Sequence, residues 1–293
     1  MIQYKEAINI IKKVSLKLDN EKISILSSIN RICDSNIRSP SINPLHDNTA
    51  FDGFAVIAKE TKGISIKNPK KFKIIKTIAA GDKPKIKKYS SNSVIEIMTG
   101  GLVPKPFDSI LAVEKAKYYP SKEKPTHIII NQEVKKFSFI RFAGEDYKLN
   151  DLVVKKGEII QPKHIMALTT LGVKYIKVKK KPKITFLSTG NEIVNYKSKK
   201  ILPWQVRNSN NYYFKSFGEN LNFKIIDGGI IKDNSPNKLK KILEKLKNSD
   251  TDIIVTSGAI SAGKFDFIPE LVTKLSFIKC FKGAAIKPGR PIM

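Results

Sequence analysis

At 293 residues the chain exceeds the roughly 200 at which a single hydrophobic core stops growing, so two or three domains are expected. Its 41% hydrophobic and 27% charged residues are those of a soluble globular protein, and no apolar run approaches the roughly 18 residues that cross a bilayer, which excludes a helical membrane protein. A net charge of +28 would by itself favour a polyanionic partner, but the Lys pairs (Lys12-Lys13, Lys70-Lys71, Lys87-Lys88, Lys135-Lys136, Lys199-Lys200, Lys240-Lys241) are spread along the whole chain, pointing to attraction of anionic small molecules and away from dedicated nucleic-acid binding.

The N-terminus mixes Lys with Ile at helical spacing and lacks a signal-peptide core, so a cytoplasmic protein is expected. Tyr4, Ile8, Ile11, Val14 and Leu18 predict a first helix over residues 4–18. Cys33 and Cys280 have no metal-ligand or disulfide spacing and read as small core hydrophobes; His46, His127 and His164 form no cluster and read as structural. From about Pro40 to Pro125 short β-rich runs (FAVIA, KFKIIKTIA, SVIEIM, DSILAVEKA) alternate with Gly, Pro, Asn and Asp, which predicts a β-rich module. Residues 137–178 hold a short strand, a helix near HIMALTTLG and the strand YIKV. If they pack back on the first helix, the β module is an insertion.

After Lys181-Pro182 strands and helices alternate: ITFLS, SNNYYFKSFGENL, FKIIDGGII, SPNKLKKILEKLKN, DIIVTS and FIPELVTKL. This pattern implies right-handed βαβ units around a parallel sheet. In SPNKLKKILEKLKN, Ser235 is the expected cap and Pro236 suits the first turn, with Leu239, Ile242, Leu243 and Leu246 forming one apolar face.

Open parallel sheets bind ligands beyond the carboxyl ends of their strands. The loop after ITFLS is Ser188-Thr189-Gly190-Asn191-Glu192, the loop after FKIIDGGII delivers Asp233, and the loop after DIIVTS runs Ser257-Gly258-Ala259-Ile260-Ser261-Ala262-Gly263 to Asp266. Glycines admit backbone N–H groups to a phosphate and hydroxyls donate to its oxygens, which makes these loops an oxyanion cradle. Glu192, Asp233 and Asp266 around such a cradle imply a hard cation such as Mg²⁺ bridging them to the ligand. A helix-cap role is the plain alternative for Asp233 and Asp266, and their joint position at successive strand ends favours function. Lys287 and Arg290 in KPGRP supply two cations on a stiff backbone. The turns around Asp52-Gly53 and Thr99-Gly100 are equally explained as structural turns.

The same stretches carry a resemblance. DNTAFDGFAV, AAGD from Ala79, IMTGG with PKPFDSILAVE, IRFAGED from Ile140, PKITFLSTGNEIV, IIKDN, DIIVTSGAISAGKFD and IKPGRP follow in order through the chain, and together they resemble the molybdopterin molybdenumtransferase family, which includes the E domain of gephyrin. The resemblance implies an α/β multidomain protein: a linking domain (1–43 plus 137–178), an inserted β-rich module (44–136), and a three-layer αβα molybdopterin-binding domain with a mostly parallel sheet (179–293). It implies a transferase that inserts molybdate into adenylylated molybdopterin with release of AMP, in a Mg²⁺-dependent step. Asp52 and Thr99 match active-site positions of the β module. Glu192, Asp233 and Asp266 match acidic positions around phosphate and metal. Thr189, Gly190, Ser257, Gly258 and Gly263 line the phosphate side, Ser261, Lys287 and Arg290 match the molybdate side, and Arg141 with Asp146 corresponds to the RxxGED-type turn.

The implied partners are small-molecule substrates, a second copy of the chain whose β module completes the site, and a molybdopterin adenylyltransferase. Three positions depart from the family pattern: Ala259 for the second Gly of a pair, Pro106 for Gly, and Asn208 for Asp. Family members also continue past the KPGRP motif into a Gly-Asn-Pro loop and a C-terminal β domain, which implies a sequence that stops short of the usual end. Two other readings remain open: a molybdopterin adenylyltransferase, against which the upstream β module argues, and a non-catalytic molybdopterin-binding fragment.

Overall fold

The computed structural model describes residues 1–84, 89–258 and 268–293. In chain order the elements that position the candidate residues are α1 (Tyr4–Lys13), β1 (Asn20–Ser24), β2 (Gly53–Val56), β3 (Lys70–Ile78), β4 (Ser93–Ile97), β5 (Ser109–Ala112), β6 (Lys117–Tyr119), β7 (His127–Ile130), α2 (Pro162–Thr170), β8 (Tyr175–Lys179), β9 (Lys183–Thr189), α3 (Asn210–Asn220), β10 (Lys224–Ile231), α4 (Pro236–Lys247), β11 (Ile253–Ser257) and α5 (Ile268–Lys274). The chain divides into two units, one of residues 36–155 and 162–174, the other of residues 1–35, 156–161 and 175–293.

In the first unit β2 to β7 form a six-stranded sheet of order β5-β2-β4-β3-β7-β6. Only the β3–β4 pair is parallel. Both faces are covered: Phe54, Phe72, Val94, Leu111 and Ile128 pack on one side, and Ala55, Ile78, Ile95, Ile97 and Ile110 on the other. Double burial explains why runs such as SVIEI and SILA are nearly continuous in apolar residues instead of alternating. Each large side chain buried in full contributes about 1.5–3 kcal/mol. Two short ladders flank the sheet, Asn48–Thr49 against Ile140–Arg141 and Ile37–Arg38 against Leu152–Val154.

In the second unit β9 lies between β10 and β11, and both pairings are parallel, as the alternating pattern predicts. Successive residues of β9 serve opposite layers. Phe186 meets Phe214 of α3 with ring centroids 5.2 Å apart, while Leu187 joins Leu239 and Leu243 of α4 and Ile268 and Leu271 of α5. The result is a three-layer αβα arrangement. A separate antiparallel pair, β1 with β8, belongs to the same unit.

Three local expectations need correction. The first helix ends at Lys13 and buries only Ala7; Val14 is already extended. Val14, Leu16 and Leu18 alternate with polar residues, a period of two that suits extended chain as well as the helical stripe did. Ser235 does not cap α4 through its side chain. Its hydroxyl donates to Asn234 Oδ1 at 3.2 Å, and its backbone carbonyl takes the N–H groups of Lys238 and Leu239. Cys33 is buried as expected, but Cys280 is exposed, on the irregular chain that follows α5.

Candidate active site

The loops 48–52 and 99–101 are stitched together by backbone bonds, Thr49 N–H to Gly101 and Gly100 N–H to Thr49, at 3.0 and 2.9 Å. This zipper brings Asp52 and Thr99 together, 47 residues apart in sequence. Asp52 Oδ1 accepts from the Thr99 N–H at 2.6 Å and from the Thr99 hydroxyl at 2.7 Å. These two donors, the backbone one first, hold the Asp52 carboxyl below the usual carboxylate range. The position is fixed from below. At Gly53 an added Cβ would lie 2.1 Å from the Leu111 carbonyl oxygen, so only glycine lets β2 approach β5 this closely.

Arg141 and Asp146 form an ion pair, and Asn43 Nδ2 donates to the same Asp146 oxygen at 2.9 Å. The hydrogen bond to Asp146 raises the Arg141 guanidinium further above its usual value. Their charges are spent on each other and hold the turn, so a ligand at either would have to compete with the pair.

In the parallel-sheet unit the three strand ends interlock. Thr189 is buried, and its hydroxyl donates to the Ser257 carbonyl at 2.9 Å. Gly190 N–H donates to the Ile231 carbonyl at 3.1 Å. Gly258 has a φ of +93°, and a Cβ there would come within 2.5 Å of both Thr189 oxygens, so no other residue fits. Asn191 N–H donates to Asp233 Oδ2 at 3.3 Å, and Asp233 N–H returns a bond to Asn191 Oδ1 at 3.0 Å. Asp233 Oδ1 is buried with no hydrogen-bond partner among the described residues. The Glu192 carboxylate lies against Gly190, 2.6 Å from where a Cβ would stand.

The structure thus gathers Thr189, Gly190, Glu192, Asp233, Ser257 and Gly258 at one end of the sheet. Ser261, Gly263 and Asp266 lie outside the described residues. Lys287 and Arg290 are exposed on irregular chain, and neither makes an ion pair among the described residues. Arg290 Nε instead lies 3.1 Å from Met1 Sδ. Among the described residues no three of His, Cys, Asp and Glu come close enough to hold a metal by themselves.

Sequence reasoning missed two residues. Asn191 closes the exchange with Asp233, and Lys232 Nζ clasps the same loop by donating to the carbonyls of Asn191 and Ile193 at 2.7 and 2.8 Å. Both stand in the strand-end segments, and the signal was there: each is the polar neighbour of a residue already singled out. Asn208, the departure from Asp, is buried and accepts from the Ser188 hydroxyl at 3.2 Å.

The strand ends of the αβα domain, lined by hydroxyls and glycines, are those of a domain that binds a phosphate or another oxyanion, and the β-rich unit presents an acid–threonine pair. The chain belongs to the family described as the MoeA N-terminal region (domain I and II), which matches residues 2–172, and residues 185–293 match a probable molybdopterin binding domain. A molybdopterin molybdenumtransferase of Staphylococcus epidermidis is 29% identical over 290 residues, covering 98% of this chain and 67% of that protein. One from Haemophilus influenzae is 28% identical over 281 residues, covering 96% and 66%. A crystal structure of the molybdopterin biosynthesis moeA protein from Pyrococcus horikoshii superposes with a TM-score of 0.83 at 26% identity, covering 99% of this chain and 71% of that one.

Proposed function

We propose that the chain acts as a molybdopterin molybdenumtransferase, inserting molybdate into adenylylated molybdopterin with release of AMP to give molybdenum cofactor. The observation that carries this reading is the convergence of the β9, β10 and β11 ends on one interlocked loop set, in a chain that matches both parts of the family from residue 2 to residue 293. The match over residues 2–172 also argues against an adenylyltransferase built from the αβ domain alone.

In this reading the loops at Gly190 and Gly258 bring backbone N–H groups to the phosphate, and the cations Lys287 and Arg290 attract molybdate, a dianion. Asp52 and Thr99, prearranged by their own hydrogen bonds, act on the substrate from the β-rich part. Arg141 and Asp146 hold the turn beside it. Mg²⁺ fits the acidic side, since the buried Asp233 Oδ1, which has no partner among the described residues, is a hard oxygen donor, and Glu192 and Asp266 would be further ligands. A cation held there would neutralise phosphate charge as AMP leaves.

The domain reading is part of the proposal: linking domain 1–43 plus 137–178, inserted module 44–136, αβ domain from 179. Confinement of all six strands of the large sheet to residues 53–130 supports the inserted module. The working form is a cytoplasmic homodimer in which the module of one protomer serves the site of its partner, receiving substrate from a molybdopterin adenylyltransferase. No helix among the described residues is long and apolar enough to cross a membrane.

The test is AMP release from adenylylated molybdopterin by the purified chain, with and without molybdate. Molybdate-dependent release is expected. Binding of the substrate with no release would leave a molybdopterin-binding protein and overturn insertion. For the dimer, verified heterodimers of Asp52→Ala and Asp266→Ala chains should regain release; no recovery would place each site within one chain.

A further inference from the structure

Beside the Asp52–Thr99 pair stands an aromatic side chain that the reaction as described does not use. Phe51 is 48% exposed, and its ring rests against Phe139, itself 40% exposed, with centroids 4.6 Å apart and planes tilted by 57°. Single exposed apolar residues are common and need no explanation. This one differs because its backbone is pinned on both sides. The buried Thr49 hydroxyl donates to the Phe51 carbonyl at 2.6 Å and accepts from the Phe51 N–H at 3.1 Å. Phe139 carries a φ of 55°, unusual for a bulky residue, and is tied back by the Ala50 N–H to its carbonyl at 3.0 Å. A ring held in place in water is prearranged for stacking, which is sequence-independent and acts on any flat heteroaromatic face.

The adjacent carboxylate selects among such faces. Both bonds from Thr99 go to Asp52 Oδ1, and Oδ2 carries none among the described residues. An ionised carboxylate accepts only. The adenine of AMP places a ring nitrogen lone pair beside its amino group on each edge, which would face the carboxylate with like polarity. A pterin places its 2-amino group beside a ring N–H, two donors in a row, which suits charge-assisted hydrogen bonds. Resting on the function proposed above, we propose that Phe51 and Asp52 form the platform that reads the pterin end of the substrate, Phe51 stacking on its face and Asp52 accepting from its amino edge. Asp52 is then a positioning contact to the pterin, distant in role from the phosphate and metal chemistry at Asp233.

The probe is 6-hydroxymethylpterin, whose fluorescence stacking quenches, titrated against the full chain, with AMP as the second ligand. The wild type is expected to quench it; Phe51→Tyr keeps the affinity within about twofold, whereas Phe51→Leu, which keeps bulk but loses the π face, weakens it by about tenfold. Asp52→Asn weakens it comparably, and AMP binding stays the same in all three. A Phe51→Leu chain that binds the pterin like wild type, a loss shared equally by AMP, or a wild type that binds no pterin would each overturn the platform. Molybdate-dependent AMP release on the same preparations separates the two ideas. Release without any effect of Phe51 on pterin binding sinks the platform alone, and Phe51-dependent pterin binding without release sinks the transferase reading alone.

Discussion

Asp52 spends one oxygen on two donors from a single residue, Thr99, and is exposed, whereas Asp233 accepts from the Asn191 N–H at Oδ2 and keeps Oδ1 buried with no donor among the described residues. The first carboxylate needs nothing more from the chain, because its second oxygen is open to water. The second is not, and leaving a buried acceptor unpaired costs about 1–3 kcal/mol, more for a charged group. Folded proteins rarely keep such atoms unless a bound ion, water or ligand completes them. In the function proposed above the two regions would divide the work: one would present a ready-made acceptor to the substrate, and the other would take a cation.

The sharpest way to break this contrast is to neutralise the unfinished side. Asp233→Asn, or Asp266→Asn, should slow AMP release by about a hundredfold or more, as expected when metal-assisted charge stabilisation is lost. Molybdate binding, measured by isothermal titration, should stay nearly intact. If Asp233→Asn releases AMP at the wild-type rate, Oδ1 holds no metal that matters and the contrast collapses into two structural carboxylates.

The finished side should be more sensitive to shape than to charge. Gly53→Ala forces a methyl group into the Leu111 carbonyl, with backbone on both sides and no flexible side chain to give way. A cost of about 1–3 kcal/mol is expected, read as a lowered midpoint in urea. An unchanged midpoint would mean that β2 and β5 separate easily and that Asp52 is held by its loop alone.

Lys287 tests the division from the anion side. Lys287→Ala removes one cation contact to a dianion, and molybdate should bind about tenfold more weakly. AMP release at saturating molybdate should change little. Equal damage to both activities would withdraw the assignment and make Lys287 a residue of the fold.

How much of this was legible in the sequence differs between the same two regions. The βαβ alternation after Lys181 pointed to the parallel sheet and the loops to search, because strand ends in such sheets adjoin by topology: Thr189 meets Ser257 there, and Asp233 meets Asn191. The Asp52–Thr99 bond was not legible from physics. Its two residues are brought together by a backbone zipper between loops, which no periodicity encodes, and only the resemblance flagged them. The Asn191–Asp233 exchange was missed for a related reason: an asparagine in a Gly-rich loop looks like turn chemistry until its partner strand end is placed. Helix ends failed where two rules competed, as at Ser235, whose hydroxyl turned to Asn234.

The smallest expected effect bears on how far Asp52 is finished by the chain. Its pKa is held below the ordinary 3.8, first by the Thr99 backbone N–H and second by the Thr99 hydroxyl. A depressed carboxylate contributes stabilisation that is fully present above its unfolded-state value and is lost as the pH falls through the folded-state value. The Asp52–Thr99 pair should therefore be intact at neutral pH and loosen only in acid, below pH 3.8. Thr99→Val removes the hydroxyl and spares the N–H, so the Asp52 pKa should rise only part of the way back, and Thr99→Ser should leave it where it was. Titration of the Asp52 carboxyl carbon by NMR in the three proteins reads this directly. No rise in Thr99→Val would show that the hydroxyl bond does not form in solution. A rise all the way to the ordinary value would show that the backbone bond depends on the side chain, and the zipper between the two loops would then be too loose to prearrange anything.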